Sequence, residues 1–457
     1  MNAEPYFLRM PAKDIDVVES GRRARKGRIA FDLGGDVSFS MAALESFAFA
    51  RWEAVTHDAL IVAAAVEYAD KIVKRPPHGW ARRLTLRIPV HDPARWNAPD
   101  VAGALHDAVG FLTGDVWAIS FVKRAKAEPS LSLGMLPLPV PTQAILAFSD
   151  GMDSRAVAGI VGAQLGDRLV RVRVGTKTSD RPHIKGNREP FTAVPYDVLS
   201  SMPNRETSAR SRGFKFALIS GIAAYLTDAA EIVIPESGQG AVGPALITVG
   251  HAYPDFRNHP LFTRRMERLL KALLQKEVSY VFPRIWNTKG ETLRDYVAID
   301  SSDAWRTTKS CWRNSQWSSV NGRQRQCGVC AACMLRRVSV HAAGLTEPPD
   351  TYVCTEMTAA SFEAAVDPAF TKVNRAFREY AVAGILHMDH LADITKADAR
   401  SQINRHAALL GPALGLSPQE TGGRLTALLN RHAEEGTNYI NSLGAHSFVR
   451  QWARTEQ

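Results

Sequence analysis

The chain has 457 residues and a formal net charge of +10, and 45% of its residues are apolar against 22% charged. This composition predicts a globular protein of two or three domains. No stretch of about 18 or more apolar residues occurs, so no membrane span is expected. The first five residues lack the basic and apolar regions of a signal peptide, so a cytoplasmic location is expected. The positive charge favours anionic partners, nucleic acid among them, but its spread along the chain is equally typical of a solvated surface.

Residues 1–138 are predicted to form an accessory α/β domain. Alternating apolar residues predict strands at Ile29–Asp32, Leu84–Val90 and Val116–Val122, and helical periodicity runs through His57–Val73 and Asp100–Leu112. Three prolines in Leu136–Pro141 predict a linker after this domain.

Residues 139–345 are predicted to form an α/β domain with a parallel sheet, because strand and helix patterns alternate along them. The predicted elements are 144–148, 155–165, 169–174, 208–228, 231–235, 261–276 and 291–298. In such sheets the ligand lies beyond the carboxyl ends of the strands, where Ser149 and Glu236 both fall.

Residues 346–457 are predicted to form a helical C-terminal region. The predicted helices are Ala359–Val366, Phe370–Ala383, Lys396–Leu410, Pro418–Glu435 and Phe448–Thr455.

The most informative segment is the turn between the first strand and first helix of the middle domain. An apolar strand ending at Phe148 runs into Ser149-Asp-Gly-Met-Asp-Ser154, and a helix follows. Unpaired N–H groups and the helix dipole then predict an anion site. The spacing is not that of a Walker A loop. It resembles the Ser-Gly-Gly-x-Asp-Ser loop of the PP-loop ATP pyrophosphatases, with Asp150 in place of the first Gly. A capping turn of an ordinary α/β helix is the alternative.

Four of the five cysteines form the pattern C-x15-C-x2-C-x2-C. The pattern comprises Cys311, Cys327, Cys330 and Cys333. Four thiolates converging in a tetrahedron are typical of a closed structural Zn²⁺ site. An iron–sulfur cluster and a disulfide pair are the alternatives. Cys354 is predicted to be a buried or incidental thiol.

The loop and the cysteine pattern together resemble the QueC family, the 7-cyano-7-deazaguanine synthases. Segments between them carry the resemblance in the same order, over roughly residues 140–345. They are Met202-Pro-Asn-Arg205, Tyr253-Pro-Asp-Phe-Arg257, Lys289-Gly-Glu291 and Ser310-Cys-Trp312. Phe256 stands where the family has Cys.

The resemblance implies a PP-loop fold with a zinc knuckle and an ATP-dependent carbon–nitrogen ligase. ATP with Mg²⁺ adenylates the carboxylate of a deazapurine such as 7-carboxy-7-deazaguanine, releasing pyrophosphate, and an amine then displaces AMP. The residues implied to bind ATP are Phe148, Ser149, Asp150, Gly151, Met152, Asp153, Ser154 and Arg205. Ser149, Asp153 and Lys289 are the implied catalytic residues, and Glu236, Tyr253, Asp255 and Arg257 are implied to bind the substrate.

The flanking regions resemble the extended QatC-type proteins of phage-defence operons. An amide on a partner protein, held against these regions, is therefore a possible product beside the free nitrile. Dimerisation or stability elements are the alternative role for the flanks. Two other functions stay open: a PP-loop tRNA-modifying enzyme, and a degenerate nucleotide-binding scaffold, which Asp150 favours.

Overall fold

A computed structural model of the chain describes residues 11–39, 53–125, 140–174, 191–194, 196–198, 206–247, 252–313, 318–396 and 399–453. The chain divides into two compact units. The first comprises Met1–Phe148, Leu165–Ile234 and Thr248–Val281, and the second comprises Ser149–Gln164, Pro235–Ile247 and Phe282–Gln457. The chain therefore passes between the units several times, and the division at residues 138 and 345 stays a prediction. Most of the predicted linker lies outside the described residues.

The secondary structure is mixed, as predicted. The strands are β1 (Lys13–Val18), β2 (Ile29–Asp32), β3 (Val37–Phe39), β4 (Arg83–Val90), β5 (Val116–Lys123), β6 (Ala144–Ala147), β7 (Leu169–Val174), β8 (Phe191–Val194), β9 (Tyr196–Val198), β10 (Glu231–Val233), β11 (Ser279–Val281), β12 (Ser319–Val320) and β13 (Arg323–Gln324). The helices are α1 (Ala54–Ile72), α2 (Pro93–Asn97), α3 (Pro99–Thr113), α4 (Met152–Leu165), α5 (Arg212–Thr227), α6 (Gly238–Ala241), α7 (Gly243–Leu246), α8 (Pro260–Leu274), α9 (Lys289–Ile299), α10 (Ala331–Ala342), α11 (Phe362–Ala365), α12 (Arg375–Asp393), α13 (Arg400–Leu414), α14 (Pro418–Ser442) and α15 (Phe448–Trp452).

The first unit contains a four-stranded parallel sheet in the order β2-β1-β4-β5. The sequence pattern did not predict β1, because Asp14 and Asp16 are poor strand formers. Asp16 is nevertheless buried on this strand, and its carboxylate pairs with Arg25 at 2.6 Å. The ion pair offsets the cost of burying the charge, so the apolar neighbours of Asp16 can enter the core.

A five-stranded sheet of the same unit has the order β11-β10-β6-β7-β8, and all of its strand pairs are parallel. This confirms the parallel sheet predicted for the middle of the chain. Strand β6 is central, and Ala144, Ile145 and Leu146 on it are fully buried. Helix α5 packs on β6 and β10, and α1 packs on α5.

The second unit is largely helical. Met152, Ala156 and Ile160 of α4 form an apolar cluster with Leu293 and Tyr296 of α9. Gly159 permits this packing, because a Cβ there would lie 2.3 Å from the Tyr296 ring. No helix in the described part of the chain has the length and apolar character needed to cross a membrane.

Helix α14 extends beyond its predicted end at Glu435. Gly436 and the polar residues after it are weak helix formers, which suggested a helix end. The helix continues to Ser442 because Tyr439 is buried in the apolar cluster around the cysteines. Tertiary packing therefore overrides local propensity here.

Candidate nucleotide site and cysteine cluster

The predicted loop forms a tight turn stabilised by its own side chains. Ser149 Oγ lies 2.9 Å from Ser154 Oγ and accepts a hydrogen bond from the Gly151 N–H at 3.2 Å. Helix α4 begins at Met152, inside the loop, so its first N–H groups belong to the loop residues. This is the strand–turn–helix arrangement expected of an anion site.

Asp150 does not strain this turn. Among the described residues, the non-glycine positions with positive φ are Asp228, Gln275, Asp303 and Asn321, so Asp150 is not one of them. The backbone carbonyl of Asp150 accepts a hydrogen bond from the Lys309 N–H at 2.7 Å. A non-glycine residue at this position therefore has no conformational cost from a left-handed backbone.

Asp153 and Lys289 form a buried ion pair in the second unit. The Lys289 ammonium contacts Asp153 Oδ2, and the two side chains are only 11% and 8% exposed. The other oxygen, Asp153 Oδ1, is buried and has no hydrogen-bond partner among the described residues. The predicted catalytic residues Ser149, Asp153 and Lys289 thus belong to one unit, and Asp153 keeps lone pairs for a ligand.

A chain of buried hydrogen bonds connects the backbone N–H of Lys289 to two of the C-terminal helices, α12 and α14. The Lys289 N–H donates to Gln239 Oε1 at 2.6 Å, and Gln239 Nε2 lies 3.1 Å from His432 Nδ1. His432 Nε2 lies 3.1 Å from the carbonyl oxygen of Met388. Lys289 is the first residue of α9, where an N–H has no partner within its own helix. Sequence reasoning missed Gln239 and His432, because nothing in their local patterns marks them as polar contacts of a distant helix end.

The same helix end is capped by Thr288 and approached by Glu435. Thr288 and Glu291 form a reciprocal capping box at the start of α9. Thr288 Oγ1 also donates to Glu435 Oε1 at 2.5 Å. Burial raises the pKa of Glu435 to about 7, and the nearby Glu291 carboxylate adds to the increase. Glu435 borders a cavity of about 390 Å³ that admits solvent.

The four cysteines of the predicted knuckle lie together. Their sulfur atoms are all within 4.8 Å of one another, and Cys327, Cys330 and Cys333 are fully buried. No cysteine of the chain forms a disulfide, so the disulfide alternative is wrong. The four sulfur atoms are therefore placed to hold one metal ion.

Backbone N–H groups and burial affect the protonation of the cysteine thiols. Cys311 Sγ accepts from the N–H groups of Cys327 at 3.2 Å and of Arg313 at 3.4 Å. Hydrogen bonds from the neighbouring thiols and from the backbone lower the pKa of Cys311. Cys354 differs, because burial raises the pKa of its thiol to about 12 and keeps it protonated. Burial and the neighbouring thiols raise the pKa values of Cys327 and Cys333, so the geometry of the four sulfur atoms, which excludes Cys354, is the evidence for a metal site.

In the first unit, Asp255 is held between two arginines. Its Oδ2 lies 3.0 Å from Arg210 Nη1 and 2.7 Å from Arg257 Nη2. Burial alone would raise the pKa of Asp255, but Arg257 and Arg210 outweigh it and hold the pKa below its usual range. Asp255 and Arg257, predicted to bind the substrate separately, thus contact each other, and Arg210 is a partner that the sequence did not reveal.

Phe256 lies in an aromatic cluster of the first unit. Its ring centroid is 4.5 Å from that of Phe111 and 5.3 Å from that of His259. Tyr253 lies at 5.7 Å and donates its hydroxyl to the Phe111 carbonyl at 2.9 Å. A large ring is therefore accommodated at the position where the family has Cys.

Of the two remaining predicted site residues, the structure describes Glu236 but not Arg205. Glu236 precedes the short helix α6, and a Cβ on Gly240 would lie 2.2 Å from Glu236 Oε2. Arg205 lies outside the described residues, as does the rest of its Met202-Pro-Asn-Arg205 motif.

Comparison with known proteins identifies the middle of the chain. Residues 230–344 match the family model of the queuosine biosynthesis protein QueC. These residues are QueC-like. A 7-cyano-7-deazaguanine synthase of Marinomonas sp. (strain MWYL1) is 32% identical over 98 residues, which is 21% of this chain and 39% of that protein. The synthase of Pseudoalteromonas translucida (strain TAC 125) is 32% identical over 96 residues, 21% of this chain and 38% of that protein.

The match has clear limits along the chain. The family model covers Glu236, Lys289 and the four cysteines but not the Ser149–Ser154 loop. The chain spans about two fifths of the length of the relatives it matches. The regions before residue 230 and after residue 344 lie outside the family match.

Proposed function

We propose that this chain is an ATP-dependent carbon–nitrogen ligase that activates the carboxylate of a 7-deazaguanine. The observation that carries the proposal is the Ser149–Ser154 turn at the start of α4 with the buried Asp153–Lys289 pair, in a chain whose residues 230–344 match QueC. A carboxylate is a poor electrophile, and transfer of the AMP moiety of ATP to the carboxylate gives the acyl carbon a good leaving group.

The proposed reaction has two steps. A carboxylate oxygen attacks the α-phosphorus of ATP, the bond to the bridging oxygen breaks, and pyrophosphate leaves with the electron pair. An amine then attacks the acyl carbon, AMP leaves, and the amine loses a proton to give an amide. A nitrile requires a second activation of a primary amide, which a secondary amide with a protein amine cannot undergo.

The residues of the second unit suit the first step. The N–H groups at the start of α4 and the hydroxyls of Ser149 and Ser154 would bind the departing pyrophosphate. Asp153 Oδ1, buried without a hydrogen-bond partner in the described part of the chain, would hold a hard cation such as Mg²⁺ beside the phosphates. Lys289 would balance the negative charge of Asp153 and of the phosphates.

The proposed metal at the cysteine cluster is Zn²⁺ with a structural role. Four thiolates leave zinc no open position for a substrate, so the ion would fix the turn that leads into α10. Cys327 to Cys333 lie in the same apolar cluster as Tyr439 and Phe448, so the knuckle anchors the C-terminal helices.

The proposed acceptor is an amine on a partner protein, in an anti-phage context, with the free nitrile as the alternative product. Two observations support this choice. Phe256 fills the place of the family's Cys with an aromatic contact, and most of the chain lies outside the QueC match. Asp255, Arg257, Tyr253 and Glu236 keep their predicted role in substrate binding as part of this proposal.

The test is a product analysis with matched variants. The protein is incubated with ATP and 7-carboxy-7-deazaguanine, with and without the proteins encoded beside it, and nucleotides, small molecules and protein masses are measured. We expect AMP and pyrophosphate from the natural protein and from Gln164→Ala, an exposed position on α4. Ser149→Ala combined with Asp153→Asn should abolish both products while leaving the circular dichroism spectrum unchanged.

Other outcomes would contradict parts of the proposal. ADP and orthophosphate in place of AMP and pyrophosphate would exclude cleavage between the α and β phosphates. Free nitrile as the sole product would exclude the protein acceptor. A new base modification in added tRNA, with neither product formed, would support the tRNA-modifying alternative.

A further inference from the structure

The first unit contains another group of metal-ligating side chains, far along the chain from the cysteines. His57 and Asp58 lie in the first turns of α1, and His91 follows the last residue of β4. Each offers one ligand atom, and these atoms lie within 4.8 Å of one another. With metal–ligand bonds of about 2.0–2.2 Å, a single ion can bridge them after small side-chain shifts.

The charge of Asp58 is the strongest reason to expect a cation here. Its side chain is fully buried, and it accepts hydrogen bonds from the backbone N–H of His91 at 2.9 Å and from His91 Nδ1 at 2.7 Å. Among the described residues, no Lys or Arg forms an ion pair with Asp58, and His91 is its recorded ionic partner. The backbone N–H of His91 offsets only part of the buried charge of Asp58, and a bound cation would offset the rest.

The two imidazoles suit a metal ion. His57 is buried, and its ring lies edge-on to that of His91 with the centroids 5.3 Å apart. The nearby Arg124 is itself paired with the buried Glu19 at 3.5 Å, which reduces its repulsion of a cation. The His91 side chain is 14% exposed, so water can complete the coordination shell.

We propose that His57, Asp58 and His91 bind one divalent transition-metal ion of the zinc type, in addition to the ion of the cysteine cluster. Two imidazoles and one carboxylate form a nitrogen–oxygen ligand set that suits Zn²⁺ or Co²⁺ and does not suit Ca²⁺ or Mg²⁺. This site is independent of the proposed ligase activity. In the competing explanation, Asp58 only anchors the turn after β4, and no metal binds.

The test counts metal ions in the purified full-length protein. We expect two equivalents of transition metal per chain after equilibration with Zn²⁺ and removal of excess ion, and one equivalent in His91→Ala. His78→Ala, an exposed histidine of the same unit, should keep both. His57→Gln is the second variant if His91→Ala does not fold, and it should also bind one equivalent.

Co²⁺ distinguishes the two sites by spectroscopy. After chelation and reloading with Co²⁺, the cysteine site should show sulfur-to-metal charge-transfer bands, and the histidine site should add d–d absorption without them. Asp58→Asn should weaken the second binding event by roughly tenfold or more and leave the charge-transfer bands unchanged. One equivalent in the natural protein, unchanged in His91→Ala and His57→Gln and with no second Co²⁺ bound, would overturn the proposal.

Discussion

The raised pKa of Glu435 makes the stability of the second unit depend on pH near neutrality. Its carboxyl is partly buried beside α9, accepts a hydrogen bond from Thr288, and has the Glu291 carboxylate nearby. We predict that Glu435→Gln, which keeps an acceptor for Thr288 but cannot ionise, stabilises the protein at pH 8 and has little effect at pH 5.

The sign follows from the two states of the carboxyl. The pKa is about 7 in the folded protein, against 4.5 for the ordinary group, so folding favours the protonated form. The stabilisation is fully present below pH 4.5 and is lost as the pH rises through 7. The difference between 7 and 4.5 corresponds to roughly 3 kcal/mol, as an upper estimate.

The assay is thermal unfolding of the natural protein and two variants from pH 5 to pH 8. For a unit of this size, roughly 3 kcal/mol corresponds to a Tm difference of about 6–12 °C. The Tm of Glu435→Gln should therefore exceed that of the natural protein by this order at pH 8, with near coincidence at pH 5. Glu434→Gln, at the exposed neighbouring position, should follow the natural protein throughout. Parallel curves for Glu435→Gln and the natural protein would refute the reasoning.

Three further predictions concern the metal, the loop and the packing. Cys330→Ser should lose the metal of the cysteine cluster and most of its local fold, because the binding energy there is also folding energy; elemental analysis and proteolysis measure this. Asp153→Asn should lower the rate of AMP formation by at least about a hundredfold with a Tm close to normal. Gly159→Ala should destabilise by about 1–3 kcal/mol in urea, because its Cβ would clash with Tyr296, whereas Gly103→Ala, with open space, should be neutral or stabilising.

Structural features formed by residues that lie close together in the sequence were predictable. The strand, turn and helix around Ser149–Ser154 follow from a short apolar run, small polar residues and a helical repeat, and the structure has all three. The cysteine cluster was predictable because Cys327, Cys330 and Cys333 have the x2 spacing of metal-binding knuckles, with Cys311 as a fourth thiol.

Contacts between distant segments were not predictable. The Gln239–His432 contact spans 193 positions, and neither residue has a local pattern that reveals the other. The end of α14 was misplaced for the same physical reason, since the burial of Tyr439 comes from tertiary packing. Strand β1 required knowledge that Arg25 would neutralise the buried Asp16.

Asp150 and the Asp153–Lys289 pair bear on whether the chain is an enzyme or a degenerate scaffold. Asp150 was the main argument for a scaffold, yet it has no left-handed backbone conformation and leaves the Ser149 turn intact. The Asp153–Lys289 pair points the other way. A buried ion pair is costly to desolvate and is often replaceable by apolar residues without loss of stability, so stability alone gives little reason to keep it. Its position beside a helix N-terminus, with Asp153 Oδ1 buried and without a hydrogen-bond partner in the described part of the chain, fits the proposed ligase better than a scaffold.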